Sequence, residues 1–558
     1  MHQHPAVTEA ATAFERGDLA RARALVEERL GANDESPLLH HLAGLIACRM
    51  GYGAQGMEWL RRAFLAEPQN PSFRLILSQA LIDSGQPTEA LEIASLSIEA
   101  QPSSLEILAV RAEAAFKANR RDLESEAWAA FCEMRPNEPL ALINLARSLL
   151  AQNRFGEAES AYRQALTLVP SHAPAIFELS LTLERTNQID ALESLLHEAL
   201  KRGVAKSVLA EPWALLQLRL GRPDLADEIL RTPPTNADPV RWNRLRVRTF
   251  DALGDASSAF AAAVAMNRAV PDADHAKALA TQYRAEIAEL ARTVTTEWAA
   301  KLPRLEAAPE LQLAFLIGFP RSGTTLADTF LMGHPRCRII EELPILNAAA
   351  APLGAITGLD MVDLPALEHV RRDYLGQVQR VAEMLPTDVI IDKFPLNLLA
   401  APLIHCLFPD APLLFVQRHP CDVVLSGFMQ SFEPNLGMAS FLDLKAAAEF
   451  YDVVMKAWFA IRAALPLKVQ TLVYEELVSD PERVLRPAVR ALGLEWDNRV
   501  LDHEATAKKR ATLLNTSYNQ VTERLGASPS GRWLRYQEQL QEVLPILIPW
   551  ARRLGYDN

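Results

Sequence analysis

The chain has no run of about eighteen apolar residues, which argues against a transmembrane helix. Its start, Met1-His2-Gln3-His4-Pro5-Ala6, lacks the basic stretch and apolar core of a secretory signal. Cysteine is scarce. Cys48, Cys132, Cys337, Cys406 and Cys421 form an odd, scattered set with no CxxC pair. That set argues against a disulfide framework or a zinc site and suits a reducing cytoplasm. Positive charge is in deficit, with 57 Lys and Arg against 69 Asp and Glu, for a net charge of -12. Broad nucleic-acid binding is disfavoured, while one small basic pocket stays open. What is present is ordinary globular composition, 49% hydrophobic and 23% charged. At 558 residues the chain exceeds one hydrophobic core and implies roughly three to four domains. The expectation is a soluble, cytoplasmic, multidomain protein without membrane or nucleic-acid partners.

A ruler of 34 residues runs along the first half. Pro68, Pro102, Pro136 and Pro170 share that spacing, each closing an apolar helical stretch. Gly44, Ser78, Ala112, Ala146 and Ser180 form a column of small residues on the same ruler. Ala22, Gly56, Ala90 and Ala158 form a second, broken once by Glu124. Small residues at fixed period are what helical hairpins need where two helices cross closely. The unit beginning at Glu138-Pro139 shows the pattern: one helix through Ala146, a second from Gly156 to Leu166, then Pro170. These columns and the terminal proline resemble the tetratricopeptide repeat family, which implies an all-α solenoid over residues 1–204. Residues 205–270 read as degenerate pairs of the same kind, Trp213 to Leu220 with Asp224 to Leu230 and Val247 to Leu253 with Ala256 to Asn267. Residues 271–305 read as a linker, with one long helix from Asp272 to Leu302. Solenoids of this kind offer a concave surface for peptides or protein partners; packing or oligomerisation is the other use open to the array. His40, His41, His172 and His197 suit surface or packing positions there, and no catalytic constellation stands out.

Residues 306–558 change rhythm to alternating strands and helices. Leu311 to Phe319 is an apolar run suited to a buried parallel strand. It leads into Gly318-Phe319-Pro320-Arg321-Ser322-Gly323-Thr324-Thr325-Leu326 and an apolar helix to Met332. A strand, a glycine-bearing turn and a helix N-terminus make a ready anion site. A nucleotide-triphosphate loop requires GxxxxGK[ST], and here Thr324 stands where the lysine belongs. ATP or GTP hydrolysis is therefore disfavoured. A second anchor is the run Leu413 to Val416, followed by Arg418-His419-Pro420, Asp422 and Ser426. Arg418 falls at a strand's C-terminal end, the ligand edge of an open α/β sheet.

Together these segments resemble the sulfotransferases that use 3'-phosphoadenosine 5'-phosphosulfate (PAPS), most closely the tyrosylprotein sulfotransferases and bacterial proteins that join repeats to such a domain. His334-Pro335 with Glu341-Glu342, Asp392-Lys393-Phe394-Pro395, Val473 to Leu477, Ser517 to Val521 and Gly531-Arg532-Trp533 match in the family's order. The resemblance implies a P-loop-like α/β domain with a central parallel sheet. It implies that Arg321, Ser322, Gly323, Thr324 and Thr325 cradle the 5'-phosphate, and that Arg418, Ser426 and Arg532 hold the 3'-phosphate. Glu342 would be the general base, with Glu341 the alternative, while Lys393 and Ser517 would stabilise the transferring group. A structural ion pair of Lys393 with Asp392 or Glu342 is the competing role for the lysine. Tyr474 matches a cofactor-contacting tyrosine and equally suits a core aromatic.

Sulfuryl transfer can proceed on arginines, a lysine and backbone dipoles without Mg2+, which agrees with the expectation of no metal. A phenol acceptor has a pKa of about 10, so a placed base is useful, typically by about 10² to 10⁴-fold. One departure bears on the acceptor. The Thr and Arg that follow the acidic pair in the tyrosyl enzymes are replaced by Leu343 and Pro344, and no arginine follows the pair before Arg371. The expectation is a PAPS-dependent sulfotransferase acting on a hydroxyl of a peptide, carbohydrate or other molecule, with the repeats recruiting acceptor or partner. An adaptor carrying an inactive domain is the alternative.

Overall fold

A computed structural model describes residues 5–32, 35–96, 104–307, 312–382, 387–432, 435–509 and 531–556. The chain forms two compact units, Met1–Leu209 and Ala210–Asn558. Among the described residues no helix is long and apolar enough to cross a membrane. All five cysteines are free.

The first unit is a run of helical hairpins, from Pro5–Glu15 with Leu19–Gly31 to Ala173–Arg185 with Ile189–Lys201. The small columns lie where the helices cross. A Cβ on Gly44 would sit 2.6 Å from Leu60 Cγ and 3.0 Å from the Gly56 carbonyl, and one on Gly56 would strike Cys48 Sγ. Ser78, Ala146, Ser180, Ala22, Ala90 and Ala158 are each 0% exposed. Glu124, the break in the column, is buried and pairs with Arg121 at 2.7 Å.

The ruler has a third column at the hairpin turns. Gly17, Gly51, Gly85, Asn119, Asn153 and Asn187 recur every 34 residues, all with φ between 56° and 88° in the left-handed region. Glycine lacks the Cβ that disfavours this conformation, and asparagine tolerates it. Gly221 (φ 69°) falls on the same ruler and Gly254 (φ 79°) one residue short of it. The turn signal therefore persists beyond residue 205, where the proline and small columns fade. Ala210–Arg219 pairs there with Pro223–Leu230, and Pro239–Leu253 with Ala256–Arg268. The single long helix expected from Asp272 to Leu302 is corrected. It runs Ala273–Thr293, then breaks at Val294, and a short turn Thr296–Ala299 follows. Thr293-Val294-Thr295-Thr296 is a β-branched run, poor in helix propensity, and the Thr295 hydroxyl caps Trp298 N–H at 3.1 Å.

The sheet of the second unit has five parallel strands: β1 Leu313–Gly318, β2 Cys337–Glu341, β3 Val389–Lys393, β4 Leu413–Gln417 and β5 Val469–Val473. Their order is β2-β3-β1-β4-β5. β1, β3 and most of β4 are buried, as apolar strands covered on both faces must be. The chain leaves β1 for β2 on one side and later crosses to β4 on the other. The switch point therefore opens at the C-terminal ends of β1 and β4, the place where α/β sheets bind ligands.

Candidate active site

The loop after β1 is held by close backbone approach. A Cβ on Gly318 would lie 2.8 Å from the Val416 carbonyl, and one on Gly323 would enter the Tyr474 ring. Gly323 has φ 101° and leads into the helix Thr324–Met332. Arg321, between them, adopts φ 73°, an unfavourable conformation for a long side chain that the surrounding structure must enforce. Its twisted backbone turns the carbonyl toward Arg418, whose Nη1 donates to it at 3.1 Å. Arg321 Nε donates to Ser426 Oγ at 3.1 Å, and the Arg418 guanidinium lies 4.5 Å above the Tyr474 ring. Arg321, Arg418, Ser426 and Tyr474, distant in sequence, thus meet at the switch point. Desolvation pushes the Arg321 guanidinium down to about 10, and the like charges of Arg418 and Arg532 add to the shift. Three crowded guanidinium groups repel one another, and an anion among them relieves that repulsion.

Arg532 is held from behind. Its Nε donates to Asp251 Oδ1 at 3.0 Å, and Asp251 also accepts from Tyr536 at 2.7 Å. Asp422 accepts from the Gly531 and Trp533 N–H groups at 2.7 and 2.8 Å, and Trp533 stacks on His419 with ring centres 5.0 Å apart. Burial raises the Asp422 carboxyl, while Arg418 and these two N–H groups oppose the shift. The Gly531-Arg532-Trp533 segment is thereby tied to the helix that follows β4.

A second cluster lies across β1, at the ends of β2 and β3. The register pairs Glu341 with Lys393, and Glu342 N–H continues the ladder to the Lys393 carbonyl at 2.8 Å. Glu342 has φ 49°, in the left-handed region like Arg321. Lys393 is 0% exposed. Its Nζ lies 2.5 Å from Glu342 Oε1, 3.3 Å from Glu341 Oε1 and 3.4 Å from Asp328 Oδ2, with Thr325 Oγ1 at 3.5 Å. Burial pulls the Lys393 pKa down, but Asp328, Glu342 and Glu341 outweigh it and the net shift is upward. The lysine is therefore held charged. The neighbouring Asp392 turns away and accepts from Tyr374 Oη at 2.8 Å.

Of the residues expected from sequence, Arg321, Arg418, Ser426, Tyr474 and Arg532 converge on one side of the loop, and Lys393, Glu341, Glu342 and Thr325 on the other. Ser322, Gly323 and Thr324 lie between them, in the turn and the first helical residue. Ser517 lies outside the described residues. Asp251 and Asp328 were missed. Asp328 does leave a signal, as the one charged residue in the helix Thr324–Met332. Asp251 leaves none, since only folding brings it to Arg532. Among the described residues no group of three or more His, Cys, Asp or Glu is placed to hold a metal ion.

The fold and site define an α/β domain whose loop after β1 carries its positive charge on Arg321 and has no lysine. Residues 314–498 match the sulfotransferase family, and residues 3–28 and 139–172 match the tetratricopeptide repeat. The chain thus joins a sulfotransferase-family domain to N-terminal tetratricopeptide repeats. An uncharacterized protein of Aquifex aeolicus (strain VF5) is 28% identical over 263 residues, covering 44% of this chain and 33% of its own length. Protein-tyrosine sulfotransferase 1 of Danio rerio is 24% identical over 273 residues, covering 44% of this chain and 73% of its own. Protein-tyrosine sulfotransferase 2 of Gallus gallus is 26% identical over 273 residues, covering 44% and 70%. The match spans about a third of the Aquifex protein.

Proposed function

We propose that the protein is a PAPS-dependent sulfotransferase that transfers a sulfuryl group to an acceptor hydroxyl. The observation that carries this reading is the convergence of Arg321, Arg418 and Ser426 on one side of the β1 loop, with Lys393 and Glu342 on the other. Two features fit an anionic nucleotide. Ser322 Oγ is buried without a hydrogen-bond partner, and Gly323 caps the N-terminus of the helix Thr324–Met332, where backbone N–H groups and the helix dipole favour an anion. The residues that would hold the donor are Arg321 to Thr325 at the 5' end, and Arg418, Ser426 and Arg532 at the 3' end. Bound there, PAPS supplies an activated sulfuryl group on a phosphate leaving group. Lys393 offsets negative charge that develops at the leaving oxygen. Glu342, whose side chain is 42% exposed, takes the acceptor proton, and the exposed Leu343 beside it gives that approach an apolar wall. Residues 343–359 contain no charged side chain, which disfavours an acidic peptide as acceptor. The repeats serve to recruit the acceptor or a protein partner, and the free cysteines suit a cytoplasmic setting.

Calorimetric titration with PAP, beside ATP as control, tests the donor site. PAP binding without ATP binding is expected, and Arg418→Ala weakens it about tenfold to a hundredfold, the scale of a lost charge-assisted contact. A folded chain that ignores PAP sinks the reading and leaves a repeat adaptor with an inactive domain. Labelled-PAPS transfer to tyrosine peptides and to hydroxylated sugars then identifies the acceptor.

A further inference from the structure

We propose that Asp328 is a positioning residue for the reaction: its carboxylate keeps the Lys393 amine anchored and protonated when Glu342 lets go of it. This rests on the sulfotransferase reading above. Asp328 and Lys393 are both 0% exposed, and Oδ2 lies 3.4 Å from Nζ. Asp328 stands on the first turns of the helix Thr324–Met332, three residues beyond Thr325, whose hydroxyl also reaches Nζ. The amine at the end of β3 is therefore tied to the helix that grows out of the phosphate loop, and the pair sets the distance between the two halves of the site.

The need for such an anchor follows from the other partners. Glu342, the nearest carboxylate, is also the proposed base, and a carboxylate engaged with an ammonium is a weaker proton acceptor. When Glu342 turns to the acceptor, the ammonium keeps Glu341, at 3.3 Å, and Asp328. A lysine buried without an anion tends to lose its proton, and a neutral amine cannot offset charge on a leaving group. Asp328 belongs to the loop helix, where its Oδ1 also accepts from the Thr329 hydroxyl at 3.2 Å. It sits on the donor side, whereas Glu341 and Glu342 enter from β2. The groups facing Lys393 are thus Asp328 and Thr325 from the loop helix and Glu341 and Glu342 from β2. Its own neighbour Asp392 is engaged with Tyr374.

The test compares the full chain with Asp328→Asn, Lys393→Met and the double variant. Asp328→Asn is expected to bind PAP within about threefold of the parent while kcat falls about 10²-fold, the scale of one lost preorganised charge. Its alkaline limb of activity moves down by about 1 to 2 pH units. Carbon-13 NMR of the lysine-labelled chain, with the exposed Lys445 as reference, reports the Lys393 protonation state without turnover. Its midpoint moves down by the same amount. In the Lys393→Met background, Asp328→Asn costs nothing further. An unchanged NMR midpoint, or a loss that adds to that of Lys393→Met, overturns the proposal. If Asp328→Asn alone fails to fold, recovery of the fold in the double variant demonstrates the pairing, and failure of both variants overturns it. A midpoint that shifts as expected in Asp328→Asn, with no sulfuryl transfer by the parent chain, overturns the activity reading and leaves the Asp328 assignment standing.

Discussion

The repeat unit and the sulfotransferase domain both use left-handed backbone, in opposite ways. In the repeats it falls at hairpin turns, on glycine or asparagine, every 34 residues. Space around those glycines is open, with nothing within 4 Å of a Cβ on Gly17, Gly51 or Gly85. In the domain it falls on Arg321 and Glu342, residue types with no tolerance for it, and on Gly323, where a side chain has no room. The repeats place the conformation where it costs little. The domain places it where Arg321 meets Ser426 and Arg418 and where Glu342 meets Lys393, and the surrounding hydrogen bonds hold it there. Left-handed residues of unsuitable type therefore mark the chemistry, while suitable types at a fixed period mark architecture.

The sharpest break of this comparison is Gly323→Val. The side chain meets Tyr474, so PAP binding in calorimetry should fall by more than about a hundredfold, the scale of an overpacked site at about 3 kcal/mol. Gly85→Ala, at an open turn, should cost the repeats only about 1 kcal/mol in a denaturant melt. Glu342→Gln should spare PAP affinity and lower kcat about 10³-fold; full turnover in that variant would return the base role to Glu341. Glu342→Gly should be equally inactive yet lose less Tm than Glu342→Ala, since glycine relieves the φ 49° backbone.

A smaller effect should appear in the pH dependence of stability. Burial raises the Asp392 carboxyl to about 6, with the Tyr374 hydrogen bond opposing the shift. Below the ordinary carboxylate range both folded and unfolded chains hold this proton. As pH climbs toward 6 the unfolded chain releases it first, so stability falls, by up to about 3 kcal/mol. Asp392→Asn still accepts from Tyr374 and should flatten that fall in urea titrations between about pH 4 and 6. An unchanged slope would mean the carboxyl ionises freely. The least effect is expected at the repeat turns, where Asn153→Gly should change stability by less than about 0.5 kcal/mol, measured by chemical denaturation.

Much of this was legible before folding. The small-residue columns anticipated the helix crossings at Gly44 and Gly56, and the apolar run ending at Gly318 anticipated the central strand. The segments around Arg321, Lys393 and Arg418 were recognisable because each is a local pattern of strand, turn and helix start. The long helix through residues 272–302 was misjudged because its apolar periodicity continues while the β-branched run at Thr293 to Thr296 stops the backbone. The turn column of glycine and asparagine was readable on the same ruler and shows why the hairpins outlast the prolines.

The sequence by itself determined the repeat period, the change to alternating strands and helices, and the absence of a kinase lysine in the loop after β1. Each depends on neighbours along the chain, through backbone propensity and periodicity of burial. Tertiary structure decided which charges meet. Arg321 finds Ser426 across 105 residues, Arg532 finds Asp251 across 281, and Lys393 collects Asp328, Glu341 and Glu342. The meetings of Arg321 with Ser426 and of Lys393 with its carboxylates depend on the strand order β2-β3-β1-β4-β5 and its register, because a parallel sheet brings together loop ends that the sequence keeps far apart. Arg532 and Asp251 meet through helical segments outside the sheet.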